Sequence, residues 1–207
     1  MPRVAIPTDV REAILDAATR LMERYGYKKM TMDDIAQEAH IGKATIYGYF
    51  QHKEDVALSV IRRYHQNCHA QWEEIAATDA PPDVRMRRML VAHVLFGFEI
   101  AQRYQKSIDD TLATLRHLIL PQREQYLDQL ALLLAGVLDE GCTQELFACP
   151  DTRVAARTLL TCVSGFSPTN LSPRELGARE EIESRTHQMI DLILMGLIIR
   201  TNSTAQT

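Results

Sequence analysis

GYKKMTMDDIAQEAHIGKATIYGYFQHKEDVAL, residues 26–58, places two short apolar patterns one tight turn apart. Ile46 and Phe50 are four residues apart, so they share a helix face and can both enter a core. Lys43, Thr45, Tyr47 and Tyr49 must then point elsewhere. Two outward aromatic hydroxyls beside a cation suggest a polar partner; a solvated face without one is the bland alternative. Just upstream, Thr31 can cap the backbone donors of a short helix, and Asp33 and Asp34 suit its positive end. The inward face of that helix is Ile35, Ala36 and Ala39. Only His40, Ile41 and Gly42 separate it from the next helix, so Ile35 and Ala39 can pack on Ile46 and hold the Lys43–Phe50 helix rigidly. A helix offered in this way can enter a major groove with its first residues nearest the base edges.

The rest of the chain also reads as helix, because its β-branched residues fall at helical spacing and strand-type alternation is missing. Val10, Ile14, Ala17, Leu21 and Tyr25 mark a first helix, with Asp9 and Glu12 as a capping box and Gly26 as its stop. A long fourth helix, from about Lys53 to Ala77, carries a seam of Ala57, Val60, Ile61, Tyr64, Cys68, Trp72 and Ile75. TDAPPD (Thr78–Asp83) breaks it. Helices follow over Val84–Tyr104, Ser107–Leu120, Gln122–Glu140, Thr152–Gly165 and Glu180–Arg200, with Pro121 as a first-turn proline and Gly141 as a stop. Ser167–Gly177 reads as a loop and Thr201–Thr207 as a frayed tail. The expected fold is all-α: an N-terminal three-helix helix-turn-helix module followed by a C-terminal helical domain.

Bulk properties fit that division. The 207 residues carry a net charge of −4, with 46% hydrophobic and 24% charged residues, as in an ordinary globular protein. The first 53 residues are net +1 and the remainder net −5, which suits a small anion-binding module on an acidic partner domain. Cys68, Cys142, Cys149 and Cys162 form no CxxC pair and read as reduced, mostly buried thiols. The opening MPRVAIP lacks the apolar core of a secretory signal. Leu192–Ile199 is the most apolar run and falls well short of the ~20 residues that span a bilayer. A soluble, cytoplasmic protein with no membrane partner is expected.

Over about residues 8–58 the sequence resembles the N-terminal signature of the TetR family of ligand-responsive transcriptional repressors. Gly26-Tyr27, Thr31, Ile35-Ala36, Ala39, Ile41, Lys43, Thr45, Tyr47, Phe50 and Lys53-Glu54 carry the likeness. It implies a helix-turn-helix DNA-binding domain in residues 1–53 and a ligand-binding and dimerisation domain in 54–207. It also implies a homodimer on a pseudo-palindromic double-stranded operator and a small, largely apolar inducer, with no enzymatic activity and no cofactor. The residues that would touch DNA are Thr31, Met32, Lys43, Ala44, Thr45, Tyr47, Tyr49 and Lys53. Arg3 and Arg11 could add a minor-groove or phosphate contact. Two positions depart from the pattern: His40 stands where the family prefers glycine, and Gly48 replaces a larger residue between the tyrosines.

Beyond residue 58 only the helical pattern and the length agree with the family. MLVAHVLFGFEIAQRY (Met89–Tyr104) mixes aromatic, small and polar residues that could line an apolar cavity. Met89, His93, Phe96 and Tyr104, with Phe166 further on, are its candidate ligand contacts, although core packing also explains each aromatic. Glu99 reads as an i,i+4 partner of Arg103. For the dimer implied by the family, Leu159, Met189, Ile193, Gly196 and Leu197 recur at helical spacing on the last two helices. HQNCH (His65–His69) offers a competing reading, a metal-responsive regulator with His65, Cys68 and His69 on one helix.

Overall fold

The computed structural model describes residues 9–104, 108–166, 175 and 177–197. Arg3, most of the expected Ser167–Gly177 loop, the tail and the side chains of Gly196 and Leu197 lie outside the described residues. Eight α-helices are described: α1 Val10–Tyr25, α2 Met32–Glu38, α3 Lys43–Tyr49, α4 Lys53–Ala76, α5 Pro82–Arg103, α6 Ile108–Thr143, α7 Thr152–Val163 and α8 Arg179–Leu197. A single 3₁₀ turn, Ser164–Phe166, follows α7. No strand occurs among the described residues.

Packing divides the chain into two compact units. One holds the described residues up to Asn67 together with Ile100–Arg123; the other holds Cys68–Glu99 and the described residues from Glu124 onward. Helices α4, α5 and α6 therefore contribute to both.

In the first unit, Ile14, Leu15, Ala18 and Leu21 of α1, Ile35 of α2, Ile46 of α3, Phe50, and Val56 and Val60 of α4 are all buried. Asp9 caps α1 by accepting from the amides of Arg11 (2.9 Å) and Glu12 (3.3 Å). Glu12 does not complete the expected box: its carboxylate meets the guanidinium of Arg63 on α4 at 2.9 Å. Arg63 also pairs with Asp16 at 2.7 Å and donates to the Thr19 hydroxyl at 2.9 Å, fastening α4 along α1.

The second unit buries Trp72, Met86, Met89, Leu90, Leu130, Leu134, Leu138, Phe147, Leu160 and Ile190. Arg85 is buried too: Nη1 donates to the Ala76 carbonyl (2.9 Å) and Nη2 pairs with Glu140 (2.5 Å), while its Nε–H has no partner among the described residues. Gly141 lies so close to Phe147 that a Cβ there would sit 2.3 Å from the ring.

Two helices expected around Pro121 prove to be one, the 36-residue α6. Proline removes one backbone donor, which frees the carbonyl four residues earlier, at His117. Both Pro121 and His117 are exposed, so water can satisfy that oxygen and the helix continues.

Candidate nucleic-acid interface

The site grows from the turn between α2 and α3. Thr31 closes a reciprocal capping box: its Oγ1 accepts from the Asp34 amide at 3.1 Å, and Asp34 Oδ2 accepts from the Thr31 amide at 3.0 Å. Helix α2 ends with His40 at φ 56°, the left-handed residue of a Schellman-type stop. Across that residue, the Ile41 amide reaches the Ala36 carbonyl at 3.0 Å and the His40 amide reaches that of Gln37 at 3.2 Å. Gly42, in extended conformation, then opens α3.

With Ile46 and Phe50 buried, the other face of α3 has only one direction left. Lys43, Ala44, Thr45, Tyr47, Gly48 and Tyr49 are all exposed, the two tyrosines by 40% and 50%. The Lys43 ammonium pairs with Asp33 at 2.6 Å, which raises its pKa, and links the first turns of α2 and α3. Both partners are largely exposed, so the pair is weak and exchangeable.

Three of the expected contact residues have prior engagements. Met32 is only 9% exposed. The Thr31 hydroxyl serves its cap and donates to Asp34 Oδ2 at 2.7 Å. Lys53 Nζ donates to the backbone carbonyls of Tyr27 (3.4 Å), Lys28 (3.3 Å) and Met30 (3.3 Å), and lies 4.5 Å from the centroid of the Tyr27 ring. Buried Tyr27 in turn donates its hydroxyl to Glu54 at 2.7 Å. Burial foremost, then that bond, pushes the phenol above its ordinary range, and the same bond holds the Glu54 carboxyl below its own. This clasp of residues 27–30 on the start of α4 is a functional element that sequence reading missed. Its only signals were the Lys53-Glu54 pair and the Gly26-Tyr27 pair. Arg11, a second cation, stacks over Phe50 at 5.7 Å.

The other candidate residues distribute as follows. Met89 is buried, and His93, Phe96 and Phe166 are half-buried, all in the second unit. Tyr104 is buried in the first unit, its hydroxyl 2.7 Å from that of Tyr64. Phe96 lines a cleft of about 440 Å³ in the second unit, with Ile75, Val91, Arg88, Arg179 and His187 among the other walls. Glu99 pairs with Arg179 at 2.8 Å and not with Arg103 as expected. Leu159 is buried within the chain, and Met189 and Ile193 are half-buried.

No group of three metal-binding side chains assembles among the described residues, and His65, Cys68 and His69 form none. Burial pushes the Cys68 thiol up to about 11, while burial first and the Arg123 charge second bring His65 down to about 4. No helix among the described residues is long and apolar enough to cross a membrane.

Residues 14–60 match the family model described as bacterial regulatory proteins, tetR family. These residues are a TetR-family N-terminal region. Among its relatives, the HTH-type transcriptional regulator YhgD of Bacillus subtilis is 32% identical over 88 residues, 42% of this chain and 46% of YhgD. BetI of Agrobacterium fabrum is 30% identical over 96 residues, 46% of each protein, so the chain spans a little under half the length of these two relatives. The repressor KstR2 of Rhodococcus jostii is similar end to end, 24% identical over 90% of both chains. A transcriptional regulator from Cytophaga hutchinsonii has a similar fold, with a TM-score of 0.75 and 17% identity, over 91% of this chain and 98% of its own. These relatives are regulators and not enzymes by name.

Proposed function

We infer that the protein is a cytoplasmic, homodimeric, sequence-specific DNA-binding transcriptional regulator: a repressor that a small, largely apolar ligand releases from its operator. One observation carries this reading: α3 buries Ile46 and Phe50 and turns Tyr47 and Tyr49, with Lys43, Ala44 and Thr45, to the outside. Tyrosines so exposed are apolar surface without a use in the fold, and ring plus hydroxyl suit sugar, phosphate and base edges. Residues 1–53 form the DNA-binding part, with Thr31, Met32 and Lys53 flanking α3, and residues 54–207 form the ligand-binding and dimerisation part.

The repressive sign follows the name of KstR2, a repressor similar along nearly its whole length. Dimerisation uses α7 and α8 through Met189, Ile193, Gly196 and Leu197, with Leu159 supporting α7 from inside the chain. Exposed Leu192 and Met195 on α8, 72% and 62% accessible in the single chain, support an apolar partner there. Ligand contacts come from Met89, His93, Phe96 and Phe166, all of the second unit. Ligand binding displaces α4, which begins at Lys53 beside α3, and so changes the spacing of the two recognition helices.

Selection of duplexes from a random library by the purified protein tests the reading. The expected product is a pseudo-palindrome with half-sites one helical turn apart, about 34–36 Å. Enrichment of no sequence at modest ionic strength would refute it.

A further inference from the structure

Trp72 of α4 is fully buried, yet its indole Nε1–H has no hydrogen-bond partner among the described residues. An orphaned buried donor carries its full desolvation cost, and folded proteins rarely leave one without a reason. The surroundings are polar as well. His93 of α5 meets the indole edge-on, with centroids 6.1 Å apart and planes at 74°. The Tyr126 ring of α6 lies 6.0 Å from His93, and its hydroxyl is 3.2 Å from His93 Nδ1. That hydroxyl also hydrogen-bonds Cys68, one turn before Trp72 on α4. Helices α4, α5 and α6 of the second unit thus bring linked polar groups, Cys68, His93 and Tyr126, to the neighbourhood of the indole. His93 is half-buried, while Trp72 and Tyr126 are buried.

We propose that Trp72, His93 and Tyr126 form the recognition centre for the regulator's ligand, an uncharged, largely apolar molecule whose carbonyl oxygen accepts the Trp72 Nε1–H bond. The proposal rests on the ligand-responsive reading above and adds the chemical class. An indole donates and does not accept, so its complement is an acceptor. A single neutral donor cannot offset the desolvation of an anion. Cys68 is a neutral thiol at physiological pH. The charge of Arg85, buried in this unit, is already matched by Glu140, although its Nε–H has no partner among the described residues. A ketone or ester carbonyl on an apolar body meets all of these conditions.

Trp72 is the only tryptophan of the chain, so its fluorescence reads the site directly. The full-length protein is titrated with acetophenone, cyclohexanone and ethyl butyrate, and with ethylbenzene and benzoate as the acceptor-free and charged counterparts of the first. Saturable change in Trp72 emission is expected for the carbonyl compounds, with acetophenone bound about tenfold more tightly than ethylbenzene, the difference one buried hydrogen bond makes. In Trp72→Phe, followed by calorimetry, acetophenone should fall to the ethylbenzene level while ethylbenzene binding stays unchanged. Silence of all three carbonyl compounds, equal binding of ethylbenzene, or preference for benzoate would each overturn the assignment. The wild-type titrations decide the matter even if the variant does not fold. Mobility shift of the selected duplex is run on the same preparation: DNA binding without carbonyl binding removes this inference alone, and absence of DNA binding removes the reading beneath it.

Discussion

His40 shows how one residue can be read from sequence and still hold a reserve. Its φ of 56° lies where a Cβ costs on the order of 1 kcal/mol, less for histidine than for most residues. His40→Gly should raise the urea midpoint by an amount equivalent to up to ~1 kcal/mol without changing the slope of the transition. Lys53 was legible as a charge but not as a clasp, because the carbonyls it holds come from a loop more than twenty residues upstream. Lys53→Ala should speed amide exchange around Met30 and Thr31 and, if its DNA contact is to a phosphate, weaken binding to every duplex and flatten the salt slope by ~0.9. His65 sets a pH dependence. Its folded pKa, about 4, is below the ordinary 6.5, so the unfolded chain binds the proton first. The contribution is fully present above about 6.5 and is lost as pH falls toward about 4. Chemical denaturation across that window should show stability falling with acid, and His65→Gln should flatten the fall.

At the scale of elements, the capping threonine, the left-handed turn and the outward face of α3 were all legible, since each depends on near neighbours in the chain. The uninterrupted α6 was not. A proline ends a helix when the carbonyl it orphans is buried, and exposure at His117 and Pro121 is a tertiary fact that local sequence does not carry. The exchange of Arg103 for Arg179 as partner of Glu99 is of the same kind, a residue eighty positions away. Two glycines separate fold from function. A Cβ at Gly141 would strike the buried Phe147 ring, and Gly141→Ala should destabilise by ~1–3 kcal/mol in thermal or urea melts. A Cβ at Gly48 would meet nothing within 4 Å, so Gly48→Ala should stabilise by ~1 kcal/mol. If α3 lies against a duplex, the same substitution should weaken operator binding. A variant both more stable and equally tight on DNA would show that no partner approaches the helix at that point.

At the scale of the whole molecule, the two exposed large apolar side chains of α8, Leu192 and Met195, test the proposed assembly. Leu192→Glu with Met195→Glu should convert the sedimenting species from dimer to monomer with little loss of melting temperature, because neither residue is buried in the single chain. Operator affinity should drop with it, since a monomer reaches one half-site. Legibility declined along the chain for a physical reason. The first 58 residues combine caps, turns and an exposed aromatic face at fixed spacing, whereas the later helices show only apolar stripes that serve core, cavity and interface alike. The clasp at Lys53 bears on how a signal would travel. With its ammonium hooked to three backbone oxygens between Tyr27 and Met30, the first turn of α4 is moored to the strand of chain that ends at Thr31. A displacement of that turn drags the anchor point of α2 with it, so the scaffold behind the recognition helix is steered by a mooring line as well as by packing.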